Sequence, residues 1–214
     1  MSRVDTITFT CPSCNKEHEM PYWQSLNSSQ NPVEVAKLMD GTLFEITCPH
    51  CGHKTGVSYP VLYHDQHNAA MIYLLPSNNE SDIEKAVALF NQQQGLKDND
   101  YKFRIVRNQN ELREKAIIFH HHLDDGVLEI VKIVYLIQMQ KKYPDVEIAE
   151  TYYLRGENDE HVLCFIAGDG TQYSAVVDDG LYNEVGSDYN DAIKTNSVNC
   201  YEINRTWAQG LLFN

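Results

Sequence analysis

Four of the six cysteines in this 214-residue chain sit in two copies of one short pattern. Residues 10–16 read TCPSCNK and residues 47–54 read TCPHCGHK, so the pair Cys11 and Cys14 recurs as Cys48 and Cys51. Two thiols three positions apart on a tight turn grip one soft cation between them. Two such turns supply the four thiolates of a tetrahedral site, the arrangement that suits Zn²⁺ best. Four protein ligands leave no position open for water or substrate, so the expected metal is a structural one. The residue after the second cysteine of such a turn commonly needs a positive φ. It is Asn15 in one copy and Gly52 in the other, the two residue types that tolerate it most readily.

Other chemistries compete for the same thiols. A lone CxxC also serves as a redox dithiol, but that needs a βαβ setting and has no use for a twin. An iron–sulfur cluster is the other metal reading. The 33 residues between Cys14 and Cys48 exceed the common 15–20 residue spacing. The segment NPVEVAKLMDG explains the excess as an inserted helix, with Asn31 as N-cap, Pro32 in the first turn, Glu34 closing a capping box and Gly41 as the stop. Tyr22 and Trp23 are expected to pack that helix onto the cysteine module.

Several histidines are candidate ligands or catalytic groups. His18, His50 and His53 lie near the cysteines and read as surface residues on polar turns. His64 and Asp65 are neighbours in a strand-like run and therefore face opposite ways, which argues for a structural role over a dyad. The run His120–His122 does not converge on one ion from a helix. Only the spacings His120 with Asp124, or His121 with Asp125, would chelate there, and only if the helix runs through. No GxSxG, P-loop, GxGxxG or HExxH pattern occurs.

These groups need a scaffold. The runs VDTITFT and GTLFEIT read as strands leading into each cysteine turn, with Ile7, Phe9, Phe44 and Ile46 facing inward. TGVSYPVLY and AAMIYLLP read as strands, with Pro60 restricting the first to an edge or a bulge. A helix capped by Ser81 or Asn79 is expected through Gln93, followed by a break at GLKDND. YKFRIVR reads as a strand with a wet basic side at Lys102 and Arg104. From Asn110 to Lys142 the pattern is helical with a bend near Leu123–Gly126, and Val127, Ile130, Val131, Val134 and Ile137 make an apolar face for a core or an oligomer interface. Beyond Val146, VEIAETYYLRG, HVLCFIAG and TQYSAVV read as strands, the last two joined by a two-residue Asp169–Gly170 turn, with Cys164 in the core. DDGLYNEVGSDYNDAI reads as a short helix.

The fold class expected is α+β. A zinc-ribbon-like β module with an inserted helix spans residues 1–78, a helical segment with one strand spans 79–143, and an acidic antiparallel β region spans 144–214. The formal net charge is −13, and residues 143–214 alone carry 13 acidic against 3 basic side chains. That field repels phosphate backbones and favours basic partners. The N-terminal MSRVDTITFT has no apolar run of secretory length, and Gly126–Met139 is too short and too charged to span a bilayer. A cytoplasmic location is expected, where six cysteines are better read as ligands or core residues than as a disulfide framework.

The segments ITFTCPSCNKEHEM, LMDGTLFEITCPHCGHKTGVSYPVLYHD and MIYLLP, continued by FRIVRNQNELREKAIIF and HLDDGVLEIVK, resemble the CpXC family of bacterial proteins over about residues 4–135. Asn15 stands where that family usually has glycine. The resemblance implies a zinc-binding domain built on Cys11, Cys14, Cys48 and Cys51, and it implies no particular activity.

Three functions are open on the sequence alone. One is a non-enzymatic protein with a structural Cys₄ zinc site that acts through a protein partner of basic character. The second is a metal-dependent hydrolase with a further site near His64 and Asp65 or at His120–Asp125. The third is nucleic-acid binding through the ribbon, which the slightly acidic N-terminal third opposes.

Overall fold

A computed structural model describes residues 2–77, 79–93 and 101–213. It divides into two compact units, residues 1–116 and 117–214. The break expected at GLKDND lies outside the described residues.

The first unit is organised by a five-stranded mixed sheet in the order β1-β2-β5-β6-β7. Its strands are β1 (Arg3–Thr10), β2 (Glu17–Asn27), β5 (Val61–Asp65), β6 (Ala70–Leu74) and β7 (Lys102–Val106). The pairings β1/β2 and β5/β6 are antiparallel hairpins, while β2/β5 and β6/β7 are parallel. Parallel neighbours need long crossovers, and each crossover here carries a helix: α1 (Pro32–Asp40) between β2 and β5, and α2 (Glu80–Asn91) between β6 and β7. A small second sheet, β3 (Glu45–Thr47) against β4 (Lys54–Gly56), also lies in the first crossover.

Burial follows position in the sheet. β5 alternates, with Val61, Tyr63 and Asp65 buried and Leu62 and His64 half-buried. β6 and β7 are buried almost continuously, the pattern of strands covered on both faces. Arg104 is therefore buried, its Nη1 donating to the Phe103 carbonyl at 2.8 Å, and the wet basic side expected for this strand is reduced to the exposed Lys102 at its start. At the other edge, β1 is exposed except at the half-buried Phe9; Ile7, expected to face inward, is open to solvent, as is Val4.

Local chemistry sets the element ends. Asn79 caps α2 by accepting the Ser81 N–H at 3.1 Å. α1 has Pro32 in its first turn and ends at Gly41, as expected, but its capping box does not form. The Asn31 side chain makes no cap hydrogen bond and instead takes the Ser2 hydroxyl. The strand read at TGVSYPVLY is split, with Pro60 just ahead of β5, where its missing N–H costs nothing. α3 (Gln109–His120) contains the boundary between the units.

The second unit wraps helices around α4 (Asp125–Lys142), buried from Asp125 to Ile133. The expected bend is a true break. His122 has φ 56°, and the Asp124 carboxylate accepts the Gly126 and Val127 N–H groups at 2.8 and 3.1 Å, starting a new helix. Around it lie α5 (Asp179–Asp188), α6 (Asn190–Ser197) and α7 (Arg205–Phe213); the first two replace one expected helix, and the third had no clear sequence signal. The sheet β10-β9-β8 is antiparallel throughout, with β8 (Ile148–Arg155), β9 (His161–Ala167) and β10 (Gln172–Val176). Its turn is longer than two residues: Gly170 N–H closes on the Ala167 carbonyl at 2.8 Å, and Gly170 itself takes φ 85°, the three-residue loop with a left-handed glycine. Leu163, Phe165 and Ala167 fill the buried face of β9, so Cys164 lies half-buried on the opposite face and not in the core.

No helix among the described residues is long and apolar enough to cross a membrane.

Candidate metal centre

The four cysteines come from two hairpins of identical local design. Cys11 and Cys14 occupy the turn joining β1 to β2, whose last pair is Thr10 with Glu17. Cys48 and Cys51 occupy the turn joining β3 to β4, whose last pair is Thr47 with Lys54. In each turn the first cysteine donates its N–H to a carbonyl five residues on, Lys16 at 3.0 Å and His53 at 2.9 Å. The expected strand GTLFEIT is only three residues long, enough to aim the second turn at the first.

The four sulfurs all lie within 4.8 Å of one another. Cys11 Sγ is 3.7 Å from Cys51 Sγ, and Cys14 Sγ is 3.8 Å from Cys48 Sγ. A tetrahedron with sulfurs about 2.3 Å from its centre has edges of about 3.8 Å, so these separations match those of ligands around one ion. They far exceed the roughly 2.05 Å of a disulfide bond, and all six cysteines are free. The four cysteines are positioned to bind a metal ion. Each pair crosses the cluster, since both close contacts join one hairpin to the other, and an ion at its centre would staple β1–β2 to β3–β4.

The environment divides the thiols unequally. The first cysteine of each turn is buried, while Cys14 is half-buried and Cys51 exposed. The Cys14 N–H, followed by that of Ser13, holds the Cys11 thiol down at about 6 against the opposing effect of burial. Cys14 gains from the Lys16 N–H, but burial and the three neighbouring thiols push it up to about 11. The Cys11 thiolate forms readily, while the neighbouring thiols make a second negative charge on Cys14 costly. The donor set fits a thiophilic cation that would relieve that repulsion.

The nearby histidines stand outside the cluster. His50 is exposed, with Nε2 3.3 Å from the Glu17 carbonyl; His53 contributes only its backbone carbonyl; His18 packs its ring edge-on to Phe9 at 5.5 Å. Asp65 is buried and saturated, accepting from Ser28 Oγ at 2.9 Å, Tyr63 Oη at 3.2 Å and Asn68 Nδ2 at 2.7 Å. His64 turns the other way to Tyr101, 3.0 Å from its hydroxyl. The α3–α4 break removes the helical spacing that a site at His120–Asp125 requires. Among the described residues, the four cysteines are the group of three or more metal-capable side chains that converge.

What sequence reasoning missed is β2. Met20 and Leu26 are buried in the alternation EHEMPYWQSLN, but Glu17, Glu19 and Pro21 mask the strand. Pro21 is tolerated because β2 pairs with β5 only through Ser25–Asn27 and elsewhere has β1 on one side alone.

The fold and the site together define a mixed α+β protein built around two cysteine hairpins that share one four-sulfur cluster. The sequence profile of CpXC protein matches residues 9–132, more than half of the chain and all four cysteines, and the chain belongs to that family. No curated protein and no solved structure matches it.

Proposed function

We propose that this is a non-enzymatic cytoplasmic protein in which Cys11, Cys14, Cys48 and Cys51 hold a structural zinc ion, and that it acts by binding another protein. The sulfur geometry carries the first half of this reading. Four thiolates complete the coordination of zinc, so the ion supplies cross-linking and no open site for a reacting group. The reading of a hydrolase centred on Asp65 loses support from the saturation of that carboxylate, which is already a hydrogen-bond hub.

The second half rests on charge. Of the 13 acidic side chains in residues 143–214, all but that of Glu202 are on exposed residues, so the negative field points into solvent. It favours a basic protein and disfavours nucleic acid. The free state of all six cysteines agrees with a reducing compartment.

Elemental analysis of the purified chain tests the first half: one zinc per chain is expected, and none, or two or more, overturns it. Salt tests the second half. Binding to a basic protein partner is expected to weaken steeply between low and physiological salt, and salt-independent binding contradicts the charge argument.

A further inference from the structure

A cavity of about 610 Å³ opens in the first unit beside the cysteine hairpins. That volume lies within the roughly 300–1,000 Å³ of ordinary ligand clefts. One wall is the segment His18–Pro21 with Trp23, from β2; the other is Glu45–Thr47, the whole of β3. These walls are strand edges. Between Glu17 and Gln24, β2 pairs only with β1 among the described residues, and β3 pairs only with β4. The cavity is therefore a slot between two strands that each have one edge unused.

Two features of the slot point to an occupant. Its apolar lining includes Met20, Trp23, Ile46 and Tyr59, which favours a segment with apolar side chains. Its ionic lining is Glu19, Glu34 and Glu45 against Lys37, and Lys54 already pairs with Glu45 at 2.7 Å, so Glu19 and Glu34 outnumber the one remaining cation.

From these features we infer that the slot binds an extended segment of a partner protein that alternates apolar with Lys or Arg residues, added as a strand against the β2 or β3 edge. Backbone hydrogen bonds supply affinity in this mode, and alternate side chains supply specificity. The apolar side chains enter toward Trp23 and Tyr59, and the cations meet Glu19 and Glu34. Pro21 withholds one donor from β2, which shortens the ladder on that side and discourages indiscriminate pairing. The inference deepens the protein-binding reading by giving that binding a place other than the acidic last third.

The test uses the full zinc-loaded chain, isotope-labelled for NMR, and two seven-residue probes: one alternating valine with lysine, the other valine with glutamate. The lysine peptide is expected to bind and to shift the amides of His18–Met20, Tyr22, Trp23 and Glu45–Thr47, and the glutamate peptide to bind at least about tenfold more weakly. The double variant Glu19→Lys, Glu34→Lys, at one exposed and one half-buried position, is expected to weaken the lysine peptide by about tenfold while keeping the wild-type amide spectrum elsewhere. N-methylation of alternate peptide nitrogens, in either register, is expected to weaken it similarly, because it deletes ladder donors and leaves the side chains. Shifts confined to residues 143–214, or equal binding of both peptides, overturn the slot. If a basic protein still binds while the slot variant has no effect, the slot fails and the protein-binding reading survives; if basic partners bind in no salt condition, both fail.

Discussion

Asn15 and Gly52 occupy equivalent positions in the two cysteine turns. Each donates its N–H to the carbonyl of the cysteine four residues earlier at 2.9 Å, and each holds a positive φ, 56° and 73°. The equivalence means that the turn geometry, and with it the aim of the sulfurs, depends on a left-handed residue in both copies. A Cβ at Gly52 meets nothing within 4 Å, so only the backbone resists substitution there. Gly52→Ala is expected to cost about 1–2 kcal/mol, Gly52→Val more, and Asn15→Gly close to nothing or a slight gain. Chelator titration of the zinc-loaded variants measures the order; an equal effect of all three contradicts it.

Removing a sulfur is far more damaging. Structural zinc binding contributes roughly 10–16 kcal/mol where a whole domain has a net stability of about 5–15 kcal/mol. Cys48→Ala is expected to abolish stoichiometric zinc and expose the first unit to protease. A variant that keeps both its zinc and wild-type protease resistance refutes the ligand set. Cys164→Ala, half-buried in the other unit, is the matched control and is expected to keep its zinc.

Asp65 gives a pH signature. Burial on its own raises a carboxyl, but the hydrogen bonds from Asn68, Ser28 and Tyr63 outweigh it and hold Asp65 below the ordinary 3.8. The lowered carboxyl adds stability above the ordinary value, and that stability drains away as pH falls through the folded-state value. Asp65→Asn is expected to cost about 1.5–3 kcal/mol at pH 7 in urea denaturation, with the gap from wild type narrowing below about pH 4. A gap that is constant from pH 7 to pH 3 contradicts the assignment.

In the second unit, the start of α4 is tightly fitted. A Cβ on Gly126 meets Ile193 Cγ2 at 2.9 Å and both Asp124 Oδ1 and Trp207 Cη2 at 3.1 Å, so Gly126→Ala forces Ile193 to shift and crowds the other two side chains. A cost of about 1–3 kcal/mol is expected. Asp124→Ala, which removes the cap without crowding, is expected to cost about 1 kcal/mol. Thermal melts of the two variants separate the effects, and Gly126→Ala more stable than wild type contradicts the packing.

The elements that can be read from sequence are those whose signal is local. The paired CPxC turns, the left-handed residues after them, the proline and glycine that bracket α1, the Asn79 cap and the alternation of β8 and β9 all report on neighbours within a few positions. The elements that cannot be read depend on distant partners. Arg104 looks like half of a wet strand face until β7 pairs with β6 and is covered on both sides. Glu17–Asn27 carries no clear strand signal of its own until β1 pairs along it.

The candidate site divides in the same way. Residue type and spacing alone determined that Cys11, Cys14, Cys48 and Cys51 form two thiol pairs on tight turns, and that His64 and Asp65 point apart, because the geometry of a turn and of a strand is set by a few consecutive dihedrals. Only the tertiary structure decided that the pairs interlock across the cluster, Cys11 toward Cys51 and Cys14 toward Cys48, that Asp65 is spent on hydrogen bonds from Ser28, Tyr63 and Asn68, and that unused edges of β2 and β3 face one slot. Those facts are contacts between segments tens of residues apart, and they exist only once chain closure brings the segments together.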